Sequence, residues 1–106
     1  MPKVVVPREL AKRDTDEAIN CYLSEQAPEA ALGFINALER AYSRIGRHPS
    51  AAFSRYAHEL IPGLRFWPLQ KYPHLVFYVE NDGHVDVWRV LNGQRDIPAW
   101  MREPSE

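Results

Sequence analysis

Apolar and polar positions along this chain change period twice, and the changes mark its elements. Val4 to Val6 form a short β-branched run fenced by Pro2 and Pro7, which predicts a first strand near a sheet edge. Helical spacing follows. Asp14-Thr15-Asp16-Glu17 fits an N-cap with a glutamate three residues on. A helix start nearer Glu9 is the alternative, because Leu10-Ala11-Lys12-Arg13 favours helix. Ala18, Ile19, Tyr22 and Leu23 continue an apolar stripe, and Ala27-Pro28 closes this helix and opens the next. In the second helix Ala31, Phe34, Ile35, Leu38, Tyr42 and Ile45 recur at three- and four-residue steps. Arg44, Arg47 and His48 gather at its end, where cations complement the helix dipole, and Pro49 stops it. The tight link predicts an antiparallel helical hairpin, about residues 9–26 and 28–47.

Residues 50–63 read as a loop with one helical turn. Beyond Pro62-Gly63 the period becomes that of strands. Leu64 to Leu69 is one, interrupted by Pro68 and hence at an edge or bulge. Leu75 to Val79 is a continuous apolar run suited to a central strand, and Asn81-Asp82-Gly83 is a hairpin turn into Val85 to Leu91. Asn92-Gly93 ends that strand, and the tail from Arg102 reads as frayed. The order β-α-α-β-β-β predicts one α+β domain spanning 1–106, a helical hairpin laid on a mainly antiparallel sheet. Val4–Val6 must then pair with a later strand.

Composition narrows the function. The chain has 106 residues, 45% hydrophobic and 25% charged, with 13 Lys and Arg against 14 Asp and Glu. A net charge of −1 and a pI near 6.4 disfavour direct, phosphate-led binding of a specific nucleic acid. No apolar run reaches membrane-spanning length. The apolar stretch near Met1 is too short for a signal peptide, and the single Cys21 suits a reducing cytoplasm. Cys21, beside Tyr22, reads as a buried or half-buried structural thiol.

Several ordered strings resemble the ParE branch of the RelE/ParE toxin superfamily, known from bacterial toxin–antitoxin pairs. They are Asp16-Glu17-Ala18 leading to Tyr22-Leu23; Ala27-Pro28-Glu29-Ala30-Ala31 with Phe34, Ala37 and Leu38; His48-Pro49; Pro62-Gly63-Leu64-Arg65; and Tyr72-Pro73-His74-Leu75-Val76-Phe77-Tyr78. The most specific is Val87-Trp88-Arg89-Val90-Leu91-Asn92-Gly93-Gln94-Arg95-Asp96-Ile97-Pro98, since these toxins typically carry an Arg-Val-Leu-(His/Asn)-Gly-x-Arg-Asp run on their final strand. The resemblance covers about residues 3–101. It implies a cytoplasmic toxin of a type II pair, held in a hetero-oligomer by a cognate ParD-like antitoxin, with DNA gyrase as target and no cofactor. RelE-like members instead cleave mRNA on the ribosome.

That cleavage needs a general base, an acid for the leaving oxygen and cations for the transition state. RelE-like enzymes supply these from basic residues on the sheet and a C-terminal tyrosine. The matching positions here are Arg65, Trp67 and His74, with Gln94 or Arg95 near the late arginine. Trp67 carries neither charge nor a useful proton, and residues 97–101 hold no tyrosine. Residues 63–101 balance four basic against four acidic side chains, a poor cradle for ribosomal RNA. A non-enzymatic, target-binding toxin is the expectation; a ribosome-dependent endoribonuclease and an antitoxin-binding fold without a live target are the alternatives.

His48, His58, His74 and His84 stand in four segments with no Cys or carboxylate at ligand spacing, so no metal site is expected. They read as surface or loop histidines, with His74, at a strand start beside aromatics, the one worth testing. Strict alternation places Arg89 on one face with Val87 and Leu91 and Trp88 on the other. Arg89 is then paired with Asp86 or Asp96, or offered to a partner; Arg95-Asp96 reads as a local ion pair. Trp88 reads as core. Trp100, with Met101 after Ile97-Pro98-Ala99, either closes the core's open edge or anchors an interface. The candidate antitoxin- or target-binding residues are Arg65, Trp67, His74, Arg89, Arg95 and Trp100, along a groove between helices and strands that takes an antitoxin tail.

Overall fold

The structure, a computed structural model, describes residues 2–51 and 63–93. The expectations for residues 52–62, including His58, for Arg95 and Trp100, and for the tail from Arg102 lie outside the described residues. The described elements are β1 (Val4–Pro7), α1 (Glu9–Ser24), α2 (Pro28–Arg47), a single 3₁₀ turn (Pro49–Ala51), β2 (Leu64–Pro68), β3 (His74–Glu80) and β4 (His84–Asn92). They build a four-stranded sheet in the order β1-β4-β3-β2. β1 runs parallel to β4 and the other pairings are antiparallel. The expected architecture, a helical hairpin on a mainly antiparallel sheet, is borne out.

Local chemistry explains the boundaries. α1 begins at Glu9, the earlier of the two helix starts that the sequence allows. Asp14 is not a cap but an interior, buried residue. α1 ends because Gln26 turns into the left-handed region (φ 59°), which brings the Ala27 amide onto the Tyr22 carbonyl at 2.9 Å. Pro28 then starts α2 at a position where its missing N–H costs nothing. Near its end Gly46 lies against β1, and the Lys3 amide donates to the Gly46 carbonyl at 2.9 Å. A Cβ there would stand 2.8 Å from the Lys3 carbonyl oxygen, so glycine is what permits this approach.

The α2 stripe packs as its period predicts. Phe34, Ala37, Leu38, Ala41 and Ile45 are buried against Val76, Tyr78, Val85 and Val87 of the sheet. Burying a side chain such as Phe34 fully is worth about 1.5–3 kcal/mol. Around it Tyr22, Tyr72 and His74 form a ring cluster, with centroids 4.9–6.0 Å from Phe34. A second cluster of Leu64, Phe77 and Leu91 lies on the sheet's other side, with Phe66, Leu75 and Val79 packed against it.

One irregularity overturns the strict alternation expected of the last strand. Phe77 pairs with Arg89 but Tyr78 pairs with Val87, so Trp88 is the extra residue of a β-bulge. Val85, Val87 and Val90 consequently join the helix-side core, whereas Leu91 belongs to the opposite cluster. Val87 and Leu91 do not share a face. Trp88 is half-buried rather than core, with the Arg8 guanidinium 3.7 Å above its ring.

Candidate functional site

Among the described residues, clefts between the layers include two lined by residues of both helices and strands. The larger, about 530 Å³, runs between α2 and the end of β2. The exposed Arg40, Arg44 and Arg47 stand on its helix wall, Trp67 and Gln70 on its strand wall, over Ala37, Ala41 and Leu69. These arginines follow i, i+4, i+7 spacing, which aligns them on one side of the helix. The Arg44 guanidinium sits 5.2 Å from the Trp67 ring centre, and Arg47 Nη2 donates to Ser43 Oγ at 2.9 Å. Among the described residues none of the three is in a salt bridge; the pairs formed are Lys3–Glu80, Arg8–Asp86 and Arg89–Asp14. This cleft is basic, with a floor of small apolar side chains.

The smaller cleft, about 310 Å³, lies between α1 and the end of β4. Glu17, Cys21 and Glu25 line its helix side, His74 and Asn92 its strand side. Cys21 is exposed, contrary to the expected buried or half-buried thiol. The buried positions of α1 are Ala11 and Asp14, with Ala18 and Tyr22 continuing that stripe against the core. Cys21 falls beside the stripe, and its thiol lies 3.7 Å from Glu25 Oε2.

The candidate residues are therefore not one constellation. Arg65 and Trp67 lie on β2 opposite Tyr78 and Val76, helix-side core residues. Arg65 is half-buried and donates to the Ser50 carbonyl at 3.3 Å. His74 belongs to the smaller cleft, against Phe34. Arg89 is buried, 7% exposed, and among the described residues its carboxylate partner is Asp14 rather than Asp86; Asp96 lies outside the described residues. Arg89 Nε and Nη2 donate to the Asp14 carboxylate at 2.8 and 2.9 Å, and the same carboxylate accepts the Val90 amide at 3.0 Å. Asp86 instead takes Nε and Nη2 of Arg8, at 3.0 and 2.8 Å. Sequence reasoning does not single out Arg40 and assigns Arg44 and Arg47 only to the helix dipole. Their spacing is the available signal.

Titration chemistry in the layers is conservative. Burial pushes the Tyr78 hydroxyl up to about 12, with Arg65 pulling the other way and Glu80 adding to the rise. Burial, then the nearby Asp14 carboxylate, puts Tyr42 at about 12. Tyr22 is raised by burial and by Tyr72. These phenols hold their protons at neutral pH and do not serve as bases. Among the described residues no three His, Cys, Asp or Glu side chains gather as a metal site.

A helical hairpin on a mainly antiparallel sheet, with arginines lining a cleft beside β2, defines a small α+β protein. Comparison with known proteins specifies it further. The family model described as "ParE toxin of type II toxin-antitoxin system, parDE" matches residues 5–97, and the chain belongs to that family. A solved structure titled "Chromosomal ParDE TA system from P. aeruginosa" superposes with a TM-score of 0.71 at 16% identity, covering 85% of this chain and 95% of that one. At that identity the likeness shows a shared fold. Among curated proteins no sequence matches.

Proposed function

We propose that this ParE-family toxin arrests growth in the cytoplasm by binding a protein target, DNA gyrase by family resemblance, and that a ParD-like antitoxin encoded beside it neutralises it in a hetero-oligomer. Family membership over residues 5–97 carries the reading. The solved relative, titled as a ParDE system, supports an antitoxin partner of that kind. The geometry favours binding over RNA cleavage. Arg89, the buried arginine of the last strand, is engaged by Asp14 and withdrawn from any scissile phosphate. Trp67 stacks with a cation instead of supplying one. No helix among the described residues is long and apolar enough to cross a membrane.

The test is inducible expression with and without the product of the adjacent reading frame, followed by gyrase supercoiling with purified protein. Growth arrest relieved by the neighbour, together with lost supercoiling, is the expected outcome. Codon-specific mRNA cuts by primer extension, abolished by Arg65→Ala, would establish the ribonuclease reading instead. Absence of arrest would leave a fold that binds an antitoxin without a live target.

A further inference from the structure

From the α2–β2 cleft we infer a binding site for a free nucleotide, a nucleoside carrying at least two phosphates. The phosphates sit on Arg40, Arg44 and Arg47, and the base stacks on the Trp67 ring. The inference rests on the geometry of the cleft and is independent of the toxin reading. The cleft measures about 530 Å³, within the range of about 300–1,000 Å³ usual for small-molecule sites. Ala37, Ala41 and Leu69, all buried, lie beneath it, so a planar ring finds an apolar surface there.

Charge fixes the rest of the ligand. Arg40, Arg44 and Arg47 are exposed, share one wall of the cleft and stand outside the salt bridges of the described residues. Glu39, the one acidic residue in the second half of α2, does not line the cleft. Dipole compensation accounts for cations in the last helical turn, Arg44 and Arg47, but not for Arg40 a turn earlier. Guanidinium groups take phosphate oxygens through paired N–H donors. A terminal phosphate carries about −1.5 to −2 charge at neutral pH, so a diphosphate comes close to offsetting the three arginines. Arg40 to Arg47 spans about 10 Å of helix axis, a length that two linked phosphates and three long side chains bridge together.

A comparison within the molecule distinguishes Trp67. Arg8 also lies over an indole, that of Trp88, but at 3.7 Å and with Nε and Nη2 bonded to Asp86. That pair is neutralised and closed. Arg44 stands 5.2 Å from the Trp67 ring centre, outside the described salt bridges. Exchanging the ring for a phosphate gives Arg44 a counter-ion and releases the ring face to a base. Aromatic stacking accepts every base, so the site selects for phosphates more than for base identity. Gln70, exposed on the same wall, offers an amide donor and acceptor to the base edge. A nucleic-acid strand is the poorer occupant. Its affinity is built from many phosphate contacts, which a net charge of −1 opposes, whereas one nucleotide meets only the local charge.

The experiment titrates the full chain with adenosine diphosphate in the absence of divalent cations, read by calorimetry and tryptophan fluorescence. Its arms are adenosine, inorganic pyrophosphate and a 5′-phosphorylated oligoadenylate. Arg40→Gln, Arg44→Gln and Trp67→Leu are compared with the parent after thermal melts show that each is folded. Arg8→Gln, at the closed pair, is the control. Adenosine diphosphate is expected to bind about tenfold or more tighter than adenosine or pyrophosphate. Each cleft arginine variant should weaken it about tenfold. Trp67→Leu should weaken it about tenfold as well but leave pyrophosphate unchanged, and Arg8→Gln should change neither. No binding of adenosine diphosphate at millimolar concentration, equal binding of pyrophosphate, unchanged affinity in a folded cleft-arginine variant, an equal loss in Arg8→Gln, or preference for the oligoadenylate would each overturn the inference. Growth arrest is scored separately. A toxic chain that ignores the nucleotide sinks the cleft alone, and a nucleotide-binding chain that never arrests growth sinks the toxin.

Discussion

Removing Asp14 should be among the most damaging single changes available to this chain. The residue is 8% exposed, and its carboxylate accepts from Arg89 Nε at 2.8 Å, Arg89 Nη2 at 2.9 Å and the Val90 amide at 3.0 Å. Asp14→Ala would take the carboxylate from a buried guanidinium and from a strand amide together. Breaking a buried pair from one side costs about 3–5 kcal/mol, against a total stability of about 5–15 kcal/mol for a domain of this size. With a urea slope of about 1.3 kcal/mol per M, the low end for small domains, the midpoint should fall by about 3 M. Asp14→Asn keeps an acceptor for Val90 and loses the charge, so it should fall between Ala and the parent. Asp14→Leu with Arg89→Met removes both charges and should recover most of the loss, because a buried ion pair is worth little more than well-packed apolar groups. Urea unfolding followed by far-UV circular dichroism reads all three. An Asp14→Ala midpoint within about 0.5 M of the parent, or a double variant no better than the single, would refute the reasoning.

Three further outcomes follow from the same structure. Gln26→Gly should raise the melting temperature, by up to about 1 kcal/mol in stability, because it relieves a left-handed backbone (φ 59°) at the end of α1, despite glycine's greater freedom when unfolded. Gly46→Ala should destabilise by about 1–3 kcal/mol in urea titration, since the added methyl meets the Lys3 carbonyl of the β1 segment and outweighs alanine's better helix propensity. Tyr42 and Tyr78 ionise at about 12 in the fold against the usual 10.0. The folded chain therefore holds protons that the unfolded chain releases, and stability present below pH 10 should be lost as pH rises toward 12. Urea midpoints should decline across that interval in the parent and less steeply in Tyr42→Phe.

What is legible in the sequence and what is not divide along a physical line. The hairpin, the strand order along the chain and the turn at Asn81 to Gly83 are local, written in spacing and turn chemistry within a few residues. For Arg89 the sequence offers only neighbouring carboxylates. A partner it does have, Asp14, is 75 positions away, on a buried helix face where an aspartate looks like a misplaced cap. The bulge at Trp88 compounds this, since a single extra residue exchanges the faces of everything after it. Cys21 shows another limit: seven residues after Asp14 it sits at the edge of the stripe of Ala11, Asp14 and Ala18, where the smaller cleft opens and leaves it exposed.

The basic cleft shows a subtler limit. Each of its arginines has a sufficient local explanation or none that draws notice, and i, i+4, i+7 spacing on an exposed face is ordinary for a solvated helix. The difference comes from packing. α2 lies across the sheet so that its arginine side overhangs β2 and its small residues, Ala37 and Ala41, leave the space beneath unfilled. A larger side chain at either alanine would close the cleft without altering a single charge. Charge, small residues and the β2 strand are three separate features of the sequence, and only the fold brings them to one place. Binding surfaces on so small a domain are expected to be of this composite kind, because the core consumes the periodic signal and leaves recognition to what borders it.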